Sequence, residues 1–223
     1  MSKSLVSIII TTKNSSEFLE RCLKSIKSQT YKNIELIVVD NNSIDDTKKI
    51  ALNYTNLVFN KGPERSAQRN FGAFRSKGKY LLFIDSDMEL TKNVVTDCVS
   101  KIQKHKALII PEKSIGNTFW ARCKALERSF YTGISWMEGA RFFDKKIFKE
   151  FKGYDEKNTG TEDFDLPQKI EEKYSKKAIG RIESLIIHHE GNLSLRDTLK
   201  KKYYYGKKIG IYKSKNKNYF NRQ

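Results

Sequence analysis

Short apolar segments alternate with helical segments through the first 110 residues of this 223-residue chain. Residues 5–10, 34–39 and 80–84 are rich in Val, Ile and Leu on both faces, as in strands buried within a parallel sheet. The apolar residues between these segments recur at helical spacing. This alternation predicts βαβ units, and therefore an α/β fold with a single, mostly parallel central sheet flanked by helices.

Polar residues follow three of these predicted strands at their carboxyl ends. In parallel sheets of this kind, ligands bind beyond the carboxyl ends of the strands. We therefore expect a ligand site at this edge of the sheet. Its candidate residues are Thr11, Thr12, Asn14, Asp40, Asn42, Asp85, Ser86 and Asp87.

Asp85 and Asp87 form the most specific of these clusters. Carboxylates at positions i and i+2 of a loop can both turn toward one ion, with Ser86 between them pointing away. Their hard oxygen atoms suit Mg²⁺ or Mn²⁺, which would bridge the two phosphates of a donor and neutralise a leaving diphosphate. The alternative is an ordinary acidic turn at the end of a strand.

Glu162 and Asp163 lie at the start of a helix that we predict over residues 162–173, with Pro167 in its first turn. A carboxylate at this position can act as a general base toward an acceptor hydroxyl, or it can simply complement the helix dipole. Because the two side chains point in different directions on a helix, we expect only one of them to meet the acceptor.

Two basic pairs complete the set of candidate residues. Arg65 and Arg69 lie one turn apart in a predicted helix, residues 65–75, and can bind a phosphate or sugar, or form a solvated face. His188 and His189 follow a predicted strand, residues 184–187. Either imidazole can serve as a third ligand to manganese or contact a phosphate, or either can be a structural histidine.

The net charge of +17 is concentrated at the carboxyl end of the chain. Residues 200–223 contain nine Lys and Arg side chains and no Asp or Glu. Such a segment favours an anionic partner, either nucleic acid or a membrane, and a solvated, poorly ordered end is the alternative. Tyrosines among the lysines are typical of segments at a membrane interface.

Other features limit the class of protein. The longest uninterrupted apolar run has five residues, against the roughly 20 that a spanning helix needs. No secretory signal is visible. Cys22, Cys98 and Cys123 are widely spaced, without a disulfide or zinc pattern, and fit a reducing compartment. We therefore expect a cytoplasmic protein.

Six segments are read together: VSIIITTKN, IELIVVDNNSIDDT, GPERSAQRNFGAFRSKGKYLLFIDSDMEL, GARFFDKKIFKEFKGYDE, TEDFDL and HHEGNLSLRDTLKKKYYYGKK. In their order and spacing, these segments resemble the family 2 glycosyltransferases of the GT-A fold. The resemblance runs from Val6 to about Tyr205. It implies a glycosyltransferase domain over residues 1–199, with a nucleotide-binding half (1–110) and an acceptor-binding half (111–199), followed by a basic helical tail (200–223).

The resemblance assigns roles to these residues. It implies that Asp163 is the base, that Asp40 contacts the nucleotide base, and that His188 joins Asp85 and Asp87 at Mn²⁺ or Mg²⁺. The implied reaction is a single inverting displacement on a UDP-sugar or GDP-sugar donor. The implied acceptor is a glycan or polyprenyl-linked glycan, and residues 200–223 are expected to contact the cytoplasmic face of a membrane. No nucleic-acid partner is expected.

Three other classes remain as alternatives. A metal-dependent nucleotidyltransferase would carry a glycine-rich, basic loop after the first strand, and residues 11–14 contain no glycine. A nucleic-acid-binding protein would spread its basic residues across the folded body rather than concentrate them in a tail. An inactive glycosyltransferase-like binding module would not need intact Asp85, Asp87 and Asp163.

Overall fold

A computed structural model describes residues 3–134, 137–158, 160–196, 198–200, 202–204 and 206. Described residues from 195 to 206 are helical, and the main-chain carbonyl of Ser194 accepts a hydrogen bond from the Thr198 N–H. Most of the predicted tail, 207–223, lies outside the described residues. In chain order the elements are β1 (Val6–Thr12), α1 (Leu19–Lys27), β2 (Ile34–Asp40), α2 (Thr47–Leu52), β3 (Val58–Asn60), α3 (Arg65–Arg75), β4 (Tyr80–Asp85), β5 (Met88–Leu90), α4 (Val94–Lys101), β6 (Ala107–Ile109), β7 (Glu112–Ile115), α5 (Phe119–Ser129), β8 (Ala140–Asp144), α6 (Lys145–Glu150), α7 (Glu162–Tyr174), β9 (Ile179–Arg181) and β10 (Ile186–His189).

The predicted mostly parallel sheet is confirmed as a seven-stranded sheet in the order β3-β2-β1-β4-β8-β6-β9. Neighbouring strands are parallel except at β8, which runs antiparallel to both β4 and β6. The register pairs Thr11 with Asp85 and Thr12 with Asp40, so the carboxyl ends of β1, β2 and β4 meet at one edge. The domain boundaries after residues 110 and 199 stay predictions.

A second, three-stranded sheet in the order β5-β10-β7 was not expected from the sequence. The strand that we predicted over 184–187 begins and ends two residues later, and His188 and His189 lie within it rather than after it. Pairing between main chains sets these bounds, because His188 lies opposite Met88 of β5 and Ser114 of β7. The second sheet therefore joins residues 186–189, late in the chain, to the segment that follows Asp87.

The core consists of two apolar layers, one on each face of the main sheet. Ile8 and Ile10 of β1 belong to one layer and Ile9 belongs to the other, as the alternation of side chains along a strand requires. Helix α3 lies close to β1, since a Cβ atom on Gly72 would be 2.5 Å from Cγ2 of Ile9. This close approach brings the first turn of α3 to the carboxyl edge of the sheet.

Pro167 lies in the second turn of α7 rather than in the first, because the helix begins at Glu162. Proline has no N–H, so it leaves the carbonyl of residue i−4 without its helical donor. In α7 that carbonyl belongs to Asp163. The local structure around this candidate base is therefore set partly by a proline four residues away.

Within the described part of the chain, no helix combines the length and apolar character needed to cross a bilayer. The three cysteines are free thiols, two of them buried and Cys123 exposed.

We expect Phe83→Ala to lower the free energy of unfolding by about 3–5 kcal/mol, because it leaves a cavity in a tightly packed aromatic cluster. Phe83 is 0% exposed, and its ring centroid lies 5.1–6.0 Å from those of Phe143, Phe148 and Tyr154. Phe74→Ala on α3 is the matched control, since Phe74 is 80% exposed and its loss should change stability by less than about 0.5 kcal/mol. Urea denaturation measures both, and equal losses would contradict the packing described.

Candidate active site

A cavity of about 880 Å³ opens at the carboxyl edge of the main sheet. It lies where β1 and β4 end, beside the start of α3, the start of α7 and strand β10. The structure thus brings most of the predicted residues to one place. Those that line the cavity are Thr11, Thr12, Arg65, Asp85, Ser86, Asp87, Asp163 and His188, whereas Asn14, Asp40, Asn42 and Arg69 lie outside its lining.

Arg69 lies beneath this cavity with a fully buried side chain. Its Nη2 donates to Asp85 Oδ1 at 3.0 Å and its Nη1 donates to Asp163 Oδ1 at 2.6 Å. Nη1 also lies 3.4 Å from Glu162 Oε1. One guanidinium therefore links the end of β4 to the start of α7, and in the described structure it faces carboxylates rather than the solvent of the cavity.

Asp85 is surrounded by cations and by one hydroxyl donor. Thr11 Oγ1 donates to Asp85 Oδ1 at 3.1 Å, and guanidinium nitrogens of Arg65 and Arg141 lie 3.8 and 3.6 Å from Oδ2. Burial raises the pKa of the Asp85 carboxyl, but Arg69, Arg141 and Arg65 outweigh this effect and hold that pKa well below its usual range. Asp85 is therefore a carboxylate at neutral pH.

The two acids at the start of α7 differ in their access to the cavity. The Glu162 side chain is 1% exposed, whereas the Asp163 side chain is 23% exposed and lines the cavity. Burial, followed by the neighbouring Asp163 charge, raises the pKa of Glu162. Of the two acids, Asp163 is thus the one that can meet a substrate, and Glu162 is a buried partner of Arg69.

The opposite wall of the cavity carries a second charged network, centred on His188. Its Nε2 lies 3.2 Å from Asp87 Oδ2, and its Nδ1 lies 3.5 Å from Glu112 Oε2 and 2.9 Å from Arg128 Nη1. Burial lowers the pKa of His188, but hydrogen bonds to Asp87 and Glu112 outweigh this effect and raise it to about 9. Burial raises the pKa of Glu112, whereas Arg141 and His188 lower it to about 2.

His189 points away from this network. Its Nε2 lies 3.0 Å from Glu89 Oε2 and its Nδ1 lies 2.9 Å from Arg21 Nη1. Successive residues of a strand face opposite sides, so only one of the two histidines can face Asp87. His188 is that residue.

Asp87 is better placed than Asp85 to bind a cation. Its Oδ1 is buried and has no hydrogen-bond partner among the described residues, which is unfavourable unless an ion or water binds there. Asp85, by contrast, is already occupied by Arg69 and Thr11. Across the described ranges, no three His, Cys, Asp or Glu side chains are arranged as a metal centre. A metal site formed by Asp85, Asp87 and His188 stays a prediction.

Asp40 and Asn14 hold the loops beside the cavity in place. Asp40 accepts hydrogen bonds from the Ser43 N–H and hydroxyl, and Asn14 Oδ1 accepts from the Ile44 N–H at 3.0 Å. Asn14 and Asn42 adopt positive φ angles of 47° and 50°, which asparagine tolerates better than most residues. Their predicted contacts to a nucleotide stay predictions.

Sequence reasoning missed Glu112, Arg128 and Arg141, which join the two networks. The Arg141 Nε donates to Glu112, and the Arg128 Nε lies 3.0 Å from Glu190 Oε1. A usable signal was present for one of them, because an arginine inside the otherwise apolar strand 140–143 needs a buried acidic partner. Nothing local distinguishes Glu112 or Arg128 from surface residues.

Comparison with known sequences gives a match of residues 7–162 to the family model "Glycosyl transferase family 2". The chain is 32% identical over 106 residues to the GalNAc(5)-diNAcBac-PP-undecaprenol beta-1,3-glucosyltransferase of Campylobacter jejuni, which covers 43% of this chain and 34% of that protein. Glycosyltransferase GlyG of Streptococcus pneumoniae is 31% identical over 123 residues, which cover 52% of this chain and 39% of GlyG. The chain thus matches well under half the length of these relatives.

Comparison with solved structures confirms the GT-A fold. S. aureus TarS 1-349 in complex with UDP gives a TM-score of 0.64 at 19% identity, covering 83% of this chain and 60% of that one. The mannosyltransferase PcManGT from Pyrobaculum calidifontis, in complex with GDP-Man and Mn²⁺, gives a TM-score of 0.63 at 16% identity, covering 84% and 57%. At these identities the likeness concerns the fold alone.

We expect Arg69→Met to lower the free energy of unfolding by about 3–5 kcal/mol, because it leaves Asp85, Glu162 and Asp163 close together without their shared cation. Arg75→Met is the matched control on the same helix. Arg75 is exposed and stacks on the rings of Phe59 and Phe71, so its loss should cost about 1 kcal/mol or less. Urea denaturation in a chelating buffer measures both variants, and a loss no larger at Arg69 than at Arg75 would refute this assignment.

We also expect the metal-free protein to lose stability as pH rises, through the titration of His188. Because the folded protein raises the pKa of His188 from 6.5 to about 9, the contribution of this residue is complete below about pH 6.5 and is lost as pH rises through about 9. The full effect is on the order of 3 kcal/mol. The free energy of unfolding, measured at pH 6 and pH 9.5 with a chelator present, should fall less in His188→Asn than in the wild type. The control is His105→Asn, which changes a histidine outside this network, and its free energy of unfolding should fall as much as that of the wild type. Equal falls in the free energy of unfolding of all three proteins would contradict the role of His188.

Proposed function

This chain belongs to glycosyl transferase family 2, and on that basis we propose that it moves a sugar from a nucleotide-diphosphate-sugar to an acceptor hydroxyl with inversion at the anomeric carbon. The observation that carries the proposal is the position of Arg69, whose guanidinium holds Asp85 and Asp163 beside a single cavity. One inverting displacement needs a base for the acceptor hydroxyl and positive charge that stabilises the leaving diphosphate. Asp163, the proposed base, and Asp85, a proposed ligand of the divalent cation, are both held by the guanidinium of Arg69.

Asp163 is the proposed base. Its side chain reaches the cavity, and its Oδ1 is anchored by Arg69 at 2.6 Å, which leaves its other oxygen to accept a proton from the acceptor hydroxyl. Holding the carboxylate in one orientation reduces the entropy lost on reaching the transition state. Glu162 remains buried behind it and takes no part in the proton transfer.

The leaving diphosphate is proposed to lie on the side of Asp85, Ser86 and Asp87, near Arg65. Asp87 would hold a divalent cation through its unpartnered Oδ1, with Asp85 and His188 as its proposed companions. When bound, Mn²⁺ or Mg²⁺ supplies electrostatic stabilisation of the charge that develops on the diphosphate. Arg65, which is partly exposed in the cavity, can add a bidentate contact to a phosphate.

Two similarities guide the choice of substrates. Structural neighbours were solved with UDP and with GDP-Man and Mn²⁺, so we propose a UDP-sugar donor first and a GDP-sugar second. A relative carries the name of a glucosyltransferase acting on an undecaprenol diphosphate-linked glycan, which supports a lipid-linked acceptor. We place the enzyme on the cytoplasmic face of the membrane, where its three free thiols would stay reduced and residues 200–223 would meet anionic lipid.

To test the proposal, purified protein with Mn²⁺ or Mg²⁺ is offered a panel of nucleotide-sugars, and both donor binding and release of nucleoside diphosphate are measured. We expect release from one donor, lowered about 10²–10⁴-fold by Asp163→Asn while donor affinity changes little, because the base acts on the acceptor side. Asp87→Asn should instead weaken Mn²⁺ binding, measured by calorimetry or by Mn²⁺ relaxation.

The matched control is Asp46→Asn, an exposed aspartate at the start of α2 that makes no capping hydrogen bond through its side chain. It should leave donor binding, Mn²⁺ binding and turnover unchanged. Failure of the wild-type protein to bind any nucleotide-sugar in the presence of either metal would refute the proposal. Turnover that is unchanged in Asp163→Asn would refute only the assignment of Asp163 as the base.

A further inference from the structure

Helix α5 carries its polar and apolar faces the opposite way round from an ordinary surface helix. Lys124 and Arg128 lie on its inner side and line the cavity, with Ala121 buried beside them. Helices at the surface of a globular protein normally bury their apolar stripe and expose their polar residues. In α5 the polar side faces inward, because it forms a wall of the cavity.

The outer side of α5 is apolar and exposed. Phe119, Cys123 and Leu126 of α5 and Phe130, which caps its carboxyl end, recur at spacings of four, three and four residues, which places them in one stripe along the helix. Phe119 is 70% exposed, Leu126 is 61% exposed and Phe130 is 68% exposed. An exposed row of large apolar side chains on one helix marks an interaction surface rather than scattered surface variation.

The last described helical segment adds a second apolar row beside α5. Lys202 Nζ lies 3.4 Å from Glu127 Oε1 of α5, so the two segments are in contact. Leu195 and Leu199 lie one turn apart and are 44% and 58% exposed. Among the described residues of this segment, the other exposed ones include Arg196, Lys200 and Lys202 and no acid, and Asp197 lies outside the described residues.

We propose that the outer stripe of α5 (Phe119, Leu126 and Phe130) together with Leu195 and Leu199 is a membrane-binding surface, and that its partner is the headgroup and upper acyl region of an anionic bilayer. The proposal assigns the apolar contact to the folded domain and not to the basic tail alone. Amphipathic surfaces of this kind insert aromatic and leucine side chains just below the headgroups.

Charge complementarity favours a bilayer over a second copy of this chain. The exposed outer residues of α5 include Arg122 and no acid, and the sequence from residue 198 to 223 contains no Asp or Glu. Two copies meeting through this face would bring like charges together, whereas an anionic lipid surface attracts each Lys and Arg near it.

The surface also has a geometric relation to the cavity. Lys124 and Arg128 on one side of α5 line the cavity, and the apolar stripe lies on its other side, so one helix separates the lipid from the site. This inference rests on the proposed function only in its choice of a lipid-linked acceptor. Binding to vesicles needs neither donor nor acceptor, so the two proposals can fail independently.

The test measures the partition coefficient of the full chain on vesicles of 30% phosphatidylglycerol in phosphatidylcholine by sedimentation. Replacing Phe119, Leu126 and Phe130 together by serine should lower it by at least about tenfold. The matched control replaces three apolar residues of other surfaces, Ile44, Leu52 and Phe74, which are 94%, 50% and 80% exposed, by serine. The control protein should bind within about twofold of the wild type.

A second readout does not depend on loss of binding. Trp120 adjoins the stripe, its ring centroid 5.1 Å from that of Phe119. In a Trp136→Phe variant, where Trp120 is the single tryptophan of the chain, lipids brominated near the headgroup should quench its fluorescence.

Three results would overturn the proposal. These are equal vesicle binding by the stripe and control variants, absence of quenching of Trp120 in the bound protein, and concentration-dependent dimerisation of the wild type that the stripe variant abolishes. The last result would assign the face to a second copy of the chain. If the first result is accompanied by complete loss of binding on deleting residues 207–223, the contact belongs to the tail alone.

Discussion

A cation without water around it must be matched by anions, and the guanidinium of Arg69 is such a cation. Its desolvation is offset only if several carboxylates converge on it with good geometry. Asp85 comes from the end of a strand, and Glu162 and Asp163 come from the start of a helix almost 80 residues later. The requirement to neutralise the side chain of Arg69 therefore fixes the position of the start of α7 relative to the end of β4, beside the cavity.

The first half of the fold could be predicted because its signals are local. The strands that became β1, β2 and β4 are short segments made almost entirely of apolar residues, and the polar residues at their ends necessarily meet once the strands are parallel. The helix over 65–75 was placed correctly for a similar reason, since apolar and small residues recur at its spacing. The positions of Asp85 and Asp87 at the sheet edge followed from that arrangement.

In the second half the helix from Glu162 was predicted, but the second sheet was not, because its strands depend on partners distant in the sequence. Strands β5 and β7 have three and four residues, too few to show a period, and both pair with β10, which follows them much later in the sequence. The sequence also does not reveal whether an arginine on a helix faces solvent, a phosphate or buried acids. Arg69 was predicted to bind a phosphate or sugar or to lie on a solvated face, and the structure surrounds it with carboxylates.

The second sheet also has a consequence for the order in which the protein is made. The main-chain N–H of His189 donates to the carbonyl of Asp87 at 2.9 Å, and β10 is the strand that joins β5 to β7. While the ribosome is still adding residues 90–185, the loop of Asp87 has no strand beside it. A nascent chain can thus form the parallel sheet early, but the side of the cavity around Asp87 and His188 closes only when residues 186–189 have emerged.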